Sequence, residues 1–148
     1  MAVCLLAAGA AESELGDGTG LSIGPLTLRL AHNSGVAFSL GDALPASAVV
    51  AATGLLTMAI VVYAFTMAPR TTPLGRAGLS LLLAGAAANL IDRSIDGLVT
   101  DYFHTGWWPT FNLADTFITT GLALVIVAAL RSPKRQRAVG ASAAESDR

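Results

Sequence analysis

The stretch Pro45–Ala68, PASAVVAATGLLTMAIVVYAFTMA, decides how this 148-residue chain must be read. It is apolar throughout, and no charged residue occurs between Asp42 and Arg70. A helix needs about 20 apolar residues to cross a bilayer. The rest of the chain has the same character. It is 53% hydrophobic and 13% charged, where an ordinary soluble domain carries about 25% charged residues. The length allows one domain. The formal net charge of -1 leaves no basic surplus to offset phosphates, which excludes a nucleic-acid partner. The sequence therefore predicts a mainly α, polytopic membrane protein.

Two further spans lie downstream. One runs from Arg76 to Arg93 (RAGLSLLLAGAAANLIDR), the other over 111–131, from Phe111 through FNLADTFITTGLALVIVAAL to Arg131. Their uncharged parts are short. Arg76 to Asp92 and Asp115 to Arg131 each enclose 15 uncharged residues, a rise of about 22 Å as helix against a hydrocarbon core of about 30 Å. Asp92, Arg93 and Asp115 are thus expected at the membrane edge or slightly inside it. Residues 1–11 are apolar but too short to span, and read as a short or truncated first helix. Arg70 and Arg76 flank one loop, and Arg131, Lys134, Arg135 and Arg137 follow the last span. The excess of basic residues on the cytoplasmic side puts both groups inside. The segment before Pro45 and the loop Ser94–Thr110 are then outside.

The outer N-terminal segment, 21–44, carries a strand signal. In Leu26-Thr-Leu-Arg-Leu30 apolar and polar residues alternate. Gly24-Pro25 opens it and Asn33-Ser34-Gly35 turns out of it. Residues 132–148 read as a disordered cytoplasmic tail. Cys4 is the lone cysteine, so neither an intrachain disulfide nor a cysteine metal cluster is expected, and it reads as an inert apolar side chain.

Polar groups near a bilayer ask for a reason. Asn89, Asp92 and Arg93 fall at i, i+3 and i+4 on one helical face. Asn112 and Asp115 open the last span, and Asp101 lies in the outer loop between. Three carboxylates thus gather at one end of a helix pair. The chain has two histidines, His32 and His104, and no HExxH, which excludes a zincin. Its only lysine, Lys134, is in the tail, away from any serine nucleophile. A carboxylate pair remains: two close aspartates share a proton, so that one activates water and the other polarises a carbonyl. Each residue also has a plain structural reading. Asp101 alone suits a turn, and Asp115 suits a helix start. Arg93, Trp107 and Trp108 suit an interfacial belt, His104 a wet loop, and Gly54, Gly78, Gly85 and Gly121 close helix packing.

Three motifs resolve this. His32-Asn33-Ser34-Gly35-Val36-Ala37-Phe38-Ser39 is similar to an N-x-G-x-A-F-S element. Asn89-Leu-Ile-Asp92-Arg93 with Gly97, Val99 and Asp101 is similar to N-x-x-D-R…G-x-V-x-D-F, and Phe111-Asn112-Leu-Ala114-Asp115 to F-N-x-A-D. Together, in order and at fitting spacing, they resemble the lipoprotein signal peptidase (signal peptidase II) family of intramembrane aspartic proteases, from about Leu26 to Leu130. The resemblance implies Asp101 and Asp115 as catalytic aspartates, needing no metal or cofactor. It implies supporting roles for Asn33, Gly35, Asn89, Arg93, Asn112 and Ala114, with Asp92 pairing Arg93. The implied substrates are prolipoproteins, cut before a diacylglyceryl-modified cysteine at the outer face of the bacterial cytoplasmic membrane. Membrane lipid surrounds the enzyme, and a monomer is expected, with 1–131 forming one peptidase domain.

The chain departs from the pattern at its start. Family members begin with a complete first span ending in a D-Q-x-x-K-like element, and no Asp or Lys stands there in this chain. That raises the alternative of an inactive member that binds precursors without cutting. A third class, a proton-coupled transporter, would bury its acids at mid-membrane rather than at the ends of spans.

Overall fold

The computed structural model describes residues 1–16, 18, 20–34 and 45–131. The expectations for Gly35, for the rest of the outer segment to residue 44, and for the 132–148 tail with its basic residues lie outside the described residues.

Among the described residues, four α-helices and three strands follow in the order α1 (Ala2–Leu15), β1 (Leu21–Ile23), β2 (Leu26–Asn33), α2 (Ala46–Met67), α3 (Pro73–Asp96), β3 (Val99–His104) and α4 (Leu113–Leu130). The three helices α2, α3 and α4 are long and apolar enough to cross a membrane. Their large apolar side chains point outward: Leu55 and Phe65 on α2 are each 75% exposed. In water such a surface would aggregate; in a bilayer it meets its natural solvent. α1 runs past the apolar stretch 1–11, through Glu12 and Glu14 to Leu15, and at 14 residues rises only about 21 Å.

α3 is longer than the span read from its uncharged residues, running Pro73–Asp96 rather than 76–93. Local signals set its ends. The Thr72 hydroxyl accepts the Gly75 N–H, Pro73 takes the first helical position, and Gly97 closes the helix at φ 90°, a left-handed conformation that glycine adopts without strain. The charged residues Asp92, Arg93 and Asp96 therefore lie on its last turn.

The loop Ser94–Thr110 is not all loop. Val99–His104 is a buried strand that completes an antiparallel sheet of order β1-β2-β3. β1 and β2 join through Gly24-Pro25, with Gly24 at φ 61° as a tight hairpin requires. Asn33 ends strand β2 rather than turning out of it. Asp101 pairs with Ala31 and Val99 with Asn33, after a register shift between Leu28 and Ala31. The segment before α2 and the segment between α3 and α4 thus share one sheet at one end of the helices.

α3 and α4 form the most extensive contact in the molecule. Glycine makes their closeness possible. A Cβ on Gly78 would stand 2.8 Å from the Gly121 carbonyl oxygen, and one on Gly121 would stand 2.5 Å from the Leu82 nitrogen. A Cβ on Gly85 would strike the Ala114 carbonyl oxygen. Gly54 departs from the expectation of close packing: its nearest neighbour is Leu90 Cδ1 at 3.9 Å. Overpacking a tight contact costs about 1–3 kcal/mol. Thermal unfolding in detergent should therefore show Gly121→Ala destabilised by that order, while Gly54→Ala unfolds like the parent.

Candidate active site

Strand alternation puts Asp101 on one face of β3, with Thr100 and Tyr102 on the other. Asp101 is only 2% exposed. Asn33, its diagonal neighbour on β2, donates from Nδ2 to Asp101 Oδ2 at 3.0 Å. Asn112 Nδ2 donates to Asp101 Oδ1 at 2.9 Å.

The second aspartate is fixed by the start of α4. Asn112 is the N-cap, its Oδ1 accepting the Asp115 N–H at 3.0 Å. Asp115 returns the bond, Oδ2 accepting the Asn112 N–H at 3.1 Å. This reciprocal capping box satisfies two amides that the helix leaves unpaired. From α3, Asn89 Nδ2 donates to Asp115 Oδ1 at 2.9 Å, and Asn89 Oδ1 accepts from Asn112 Nδ2 at 3.1 Å. One continuous amide network therefore joins the two carboxylates. Backbone bonds between Phe103 and Phe111, at 2.8 and 3.0 Å, hold β3 against the residue preceding Asn112.

Arg93 is 7% exposed. It reaches Thr53 Oγ1 on α2 at 3.2 Å and the Asn33 carbonyl at 3.5 Å. Asp92 accepts the Thr100 N–H at 2.7 Å. The hydrogen bonds of these neighbours thus run to different partners, α3 being tied to α2 and β2 by Arg93 and to β3 by Asp92. Ala114 is buried with Cys4 and Ala88. It packs rather than presenting a polar group.

Burial pushes the Asp101 carboxyl up from 3.8 to about 6, and the Asp115 charge adds to the rise. The Asn33 and Asn112 hydrogen bonds and the Arg93 charge hold it back. Each carboxylate oxygen keeps a second lone pair that can accept a hydrogen from water, and a protonated carboxyl can donate to a carbonyl. Among the described residues, no group of three metal-ligating side chains converges.

Beside Asp115 opens a groove of about 420 Å³, lined by Trp107, Trp108 and Phe111 and descending along Thr116, Thr119 and Thr120 of α4. Trp107 and Trp108, read from sequence as an interfacial belt, form its rim and stay exposed. His104 is half-buried, 3.4 Å from the Thr110 hydroxyl. Sequence reading missed Thr53, Thr100 and the Tyr102 hydroxyl, which accepts the Leu113 N–H at 3.1 Å. Thr53 carried a signal, as a hydroxyl inside an uninterrupted apolar run.

A sequence model of the family described as signal peptidase (SPase) II matches residues 4–131. A lipoprotein signal peptidase of Mesorhizobium japonicum is 41% identical over 105 residues, which cover 68% of this chain and 62% of that protein. The chain thus spans less than two thirds of that relative's length. Lipoprotein signal peptidases of Syntrophomonas wolfei and Brucella ovis are 37% and 41% identical, each over 76% of this chain and over 74% and 72% of their own lengths. Two solved structures, both described as a bacterial membrane enzyme, share the fold at 24% identity. Their TM-scores are 0.65 and 0.66, over 88% and 89% of this chain and 89% and 95% of theirs.

The raised Asp101 carboxyl makes stability depend on pH. The folded state holds that proton more tightly than the unfolded chain, so its contribution is full below about pH 4 and is lost as pH rises through about 6. Asp101→Asn lacks this titration. The melting temperature of the variant relative to the parent should therefore climb between about pH 4 and about pH 6 and level off above. Thermal scans across that range check it, and a flat difference would refute the assignment.

Proposed function

The chain belongs to the signal peptidase II family, and on that premise we propose that it is an aspartic endopeptidase. Its substrates are prolipoproteins, and the bond it hydrolyses precedes the diacylglyceryl-modified cysteine. The observation that carries this reading is the amide network that joins Asp101 to Asp115 through Asn112 and Asn89.

Two neighbouring carboxylates in a dry site share one proton. The ionised member takes a proton from water as the water oxygen attacks the scissile carbonyl carbon. The protonated member donates to the carbonyl oxygen and stabilises the developing charge. The tetrahedral species then collapses. The C–N bond breaks, a proton passes to the leaving nitrogen, and the pair returns with one shared proton. No covalent enzyme intermediate forms.

Asn33, Asn89 and Asn112 act as fixed donors that hold both carboxylates at one separation. Arg93 supplies the positive charge that lets the second carboxylate ionise. The groove headed by Asp115 gives the substrate lateral access from lipid. Arg70 and Arg76, at the opposite ends of the spans, support a site on the extracytoplasmic side of a bacterial cytoplasmic membrane. There the diacylglyceryl group of the precursor can keep its acyl chains in the outer leaflet. A member that binds precursors without cutting is the alternative. The complete frame around both aspartates supports hydrolysis.

The test is a gel-shift assay in mild detergent with a diacylglyceryl-modified prolipoprotein. The parent chain should cleave it, and Asp101→Asn and Asp115→Asn should each abolish cleavage while still inserting. Asn112→Ala should lose about a hundredfold in kcat, the order for one preorganised donor. Near-normal turnover by either aspartate variant would remove the dyad assignment. A well-inserted parent that binds the precursor and leaves it whole would favour the alternative.

A further inference from the structure

Asp101 is held on its front face by Asn33 and Asn112. Its strand must also be held from behind, and α1 lies there. Tyr102 is buried with Ala8 and Ala11 of α1. Thr100, 4% exposed, has both of its polar donors engaged by carboxylates from different helices. Its N–H goes to Asp92 of α3 at 2.7 Å, and its hydroxyl goes to Oε1 of Glu12 on α1 at 3.1 Å.

We infer that Glu12 is a positioning residue for Asp101, its carboxylate fixing the Thr100 hydroxyl and so the setting of the strand that carries the reacting carboxyl. The inference rests on the proposed hydrolase reading. A hydroxyl buried as Thr100 is needs an acceptor, and Glu12 provides the only side-chain hydrogen bond from α1 to β3 among the described residues. Backbone pairing with β2 and Phe111 holds β3 along its edges, and Asp92 holds the Thr100 N–H. Glu12 adds a hold on the face opposite Asp101, where it limits the tilt of the strand that would shift Asp101 relative to Asn112.

Glu12 acts through geometry, not charge. The charges that bear on Asp101 are those of Asp115 and Arg93. A neutral acceptor of the same shape should therefore serve as well. This role is not legible from sequence: Glu12 lies outside all three motifs, and the contact spans 88 positions.

The test measures kcat and KM on the same substrate, with Asp115→Asn as the inactive reference. Glu12→Ala and Thr100→Val should each lower kcat about fivefold to tenfold with KM nearly unchanged, as loss of one orienting hydrogen bond implies. Glu12→Gln and Thr100→Ser should keep most of the parental kcat, because each preserves the bond. The double variant Glu12→Ala/Thr100→Val should be no slower than the worse single. Glu14→Ala, an exposed neighbour on the same helix, should match the parent. An unchanged kcat in Glu12→Ala, multiplying losses in the double variant, or a Glu12→Gln as poor as Glu12→Ala would each overturn the inference. Hydrogen exchange of the β3 amides gives a readout apart from activity. It should quicken in Glu12→Ala, not in Glu12→Gln, with α2 unaffected. If the parent chain cleaves nothing, the hydrolase reading has failed, and the exchange result alone decides: equal β3 exchange in parent and Glu12→Ala overturns the positioning role.

Discussion

The side-chain amide of Asn112 is the point on which the site turns. Its oxygen caps α4 by accepting the Asp115 N–H, and its nitrogen donates to both Asp101 and Asn89. An amide has one acceptor oxygen and two donor hydrogens, and all three are engaged. The orientation is therefore forced: a flipped amide would set its oxygen against the Asp101 carboxylate and its hydrogens against the Asp115 N–H. The same group starts a helix and spaces two acids, so helix formation and site assembly are one event. Asn89 continues the logic one helix away. Its own donor reaches Asp115 only because the glycine contacts let α3 and α4 approach to backbone distance.

Two acids in a dry place repel each other, and burial raises the free energy of each charge. The structure answers with donors rather than with direct ion pairs. Both Asp101 oxygens accept amide hydrogens, and so do both Asp115 oxygens. Arg93 acts from further away. It sits in the last turn of α3, where the free carbonyls of the helix end favour a cation. Its hydrogen bonds go to Thr53 and to the Asn33 carbonyl, so this buried cation also ties α2 and β2 to the frame. Donor hydrogen bonds together with a distant positive charge leave Asp101 raised yet still able to ionise near neutrality.

Much of this was legible in the residues, for physical reasons that can be named. The three spans announce themselves because a lipid-facing helix must be apolar on nearly every side. Their ends did not, where the charge count was used in place of capping chemistry. Thr72, Pro73 and Gly97 mark the limits of α3, and Asp92 to Asp96 are helical because the left-handed cap comes only at Gly97. β3 hides in what looks like a loop, although Val99, Thr100, Tyr102 and Phe103 are good strand formers between Gly97 and Gly106, because the aspartate at its centre breaks the apolar pattern. Asn33, Asn89, Asn112 and the two aspartates are legible through short local motifs, although Asn33 and Asp101 stand 68 positions apart. Glu12, Thr53 and the hydroxyls of Thr100 and Tyr102 belong to no such motif position, and only the contacts between elements reveal their roles.

The distribution of those contacts bears on what the departing first segment can affect. Asp101 and Asp115 belong to one short unit, β3 followed by α4, which Phe103 and Phe111 close by paired backbone bonds. Asn112, inside that unit, bridges the two acids directly. The pair is thus assembled locally, and Asn33 and Asn89 brace it from β2 and α3. Among the described residues, no hydrogen bond from α1 reaches either carboxylate. α1 meets the unit from behind, through Cys4 at Ala114, through the seat of Tyr102 on Ala8 and Ala11, and through Glu12 at Thr100. The pairing of the two acids therefore does not depend on a hydrogen bond from α1. On the positioning role inferred for Glu12, α1 bears instead on how firmly the strand that carries Asp101 is held.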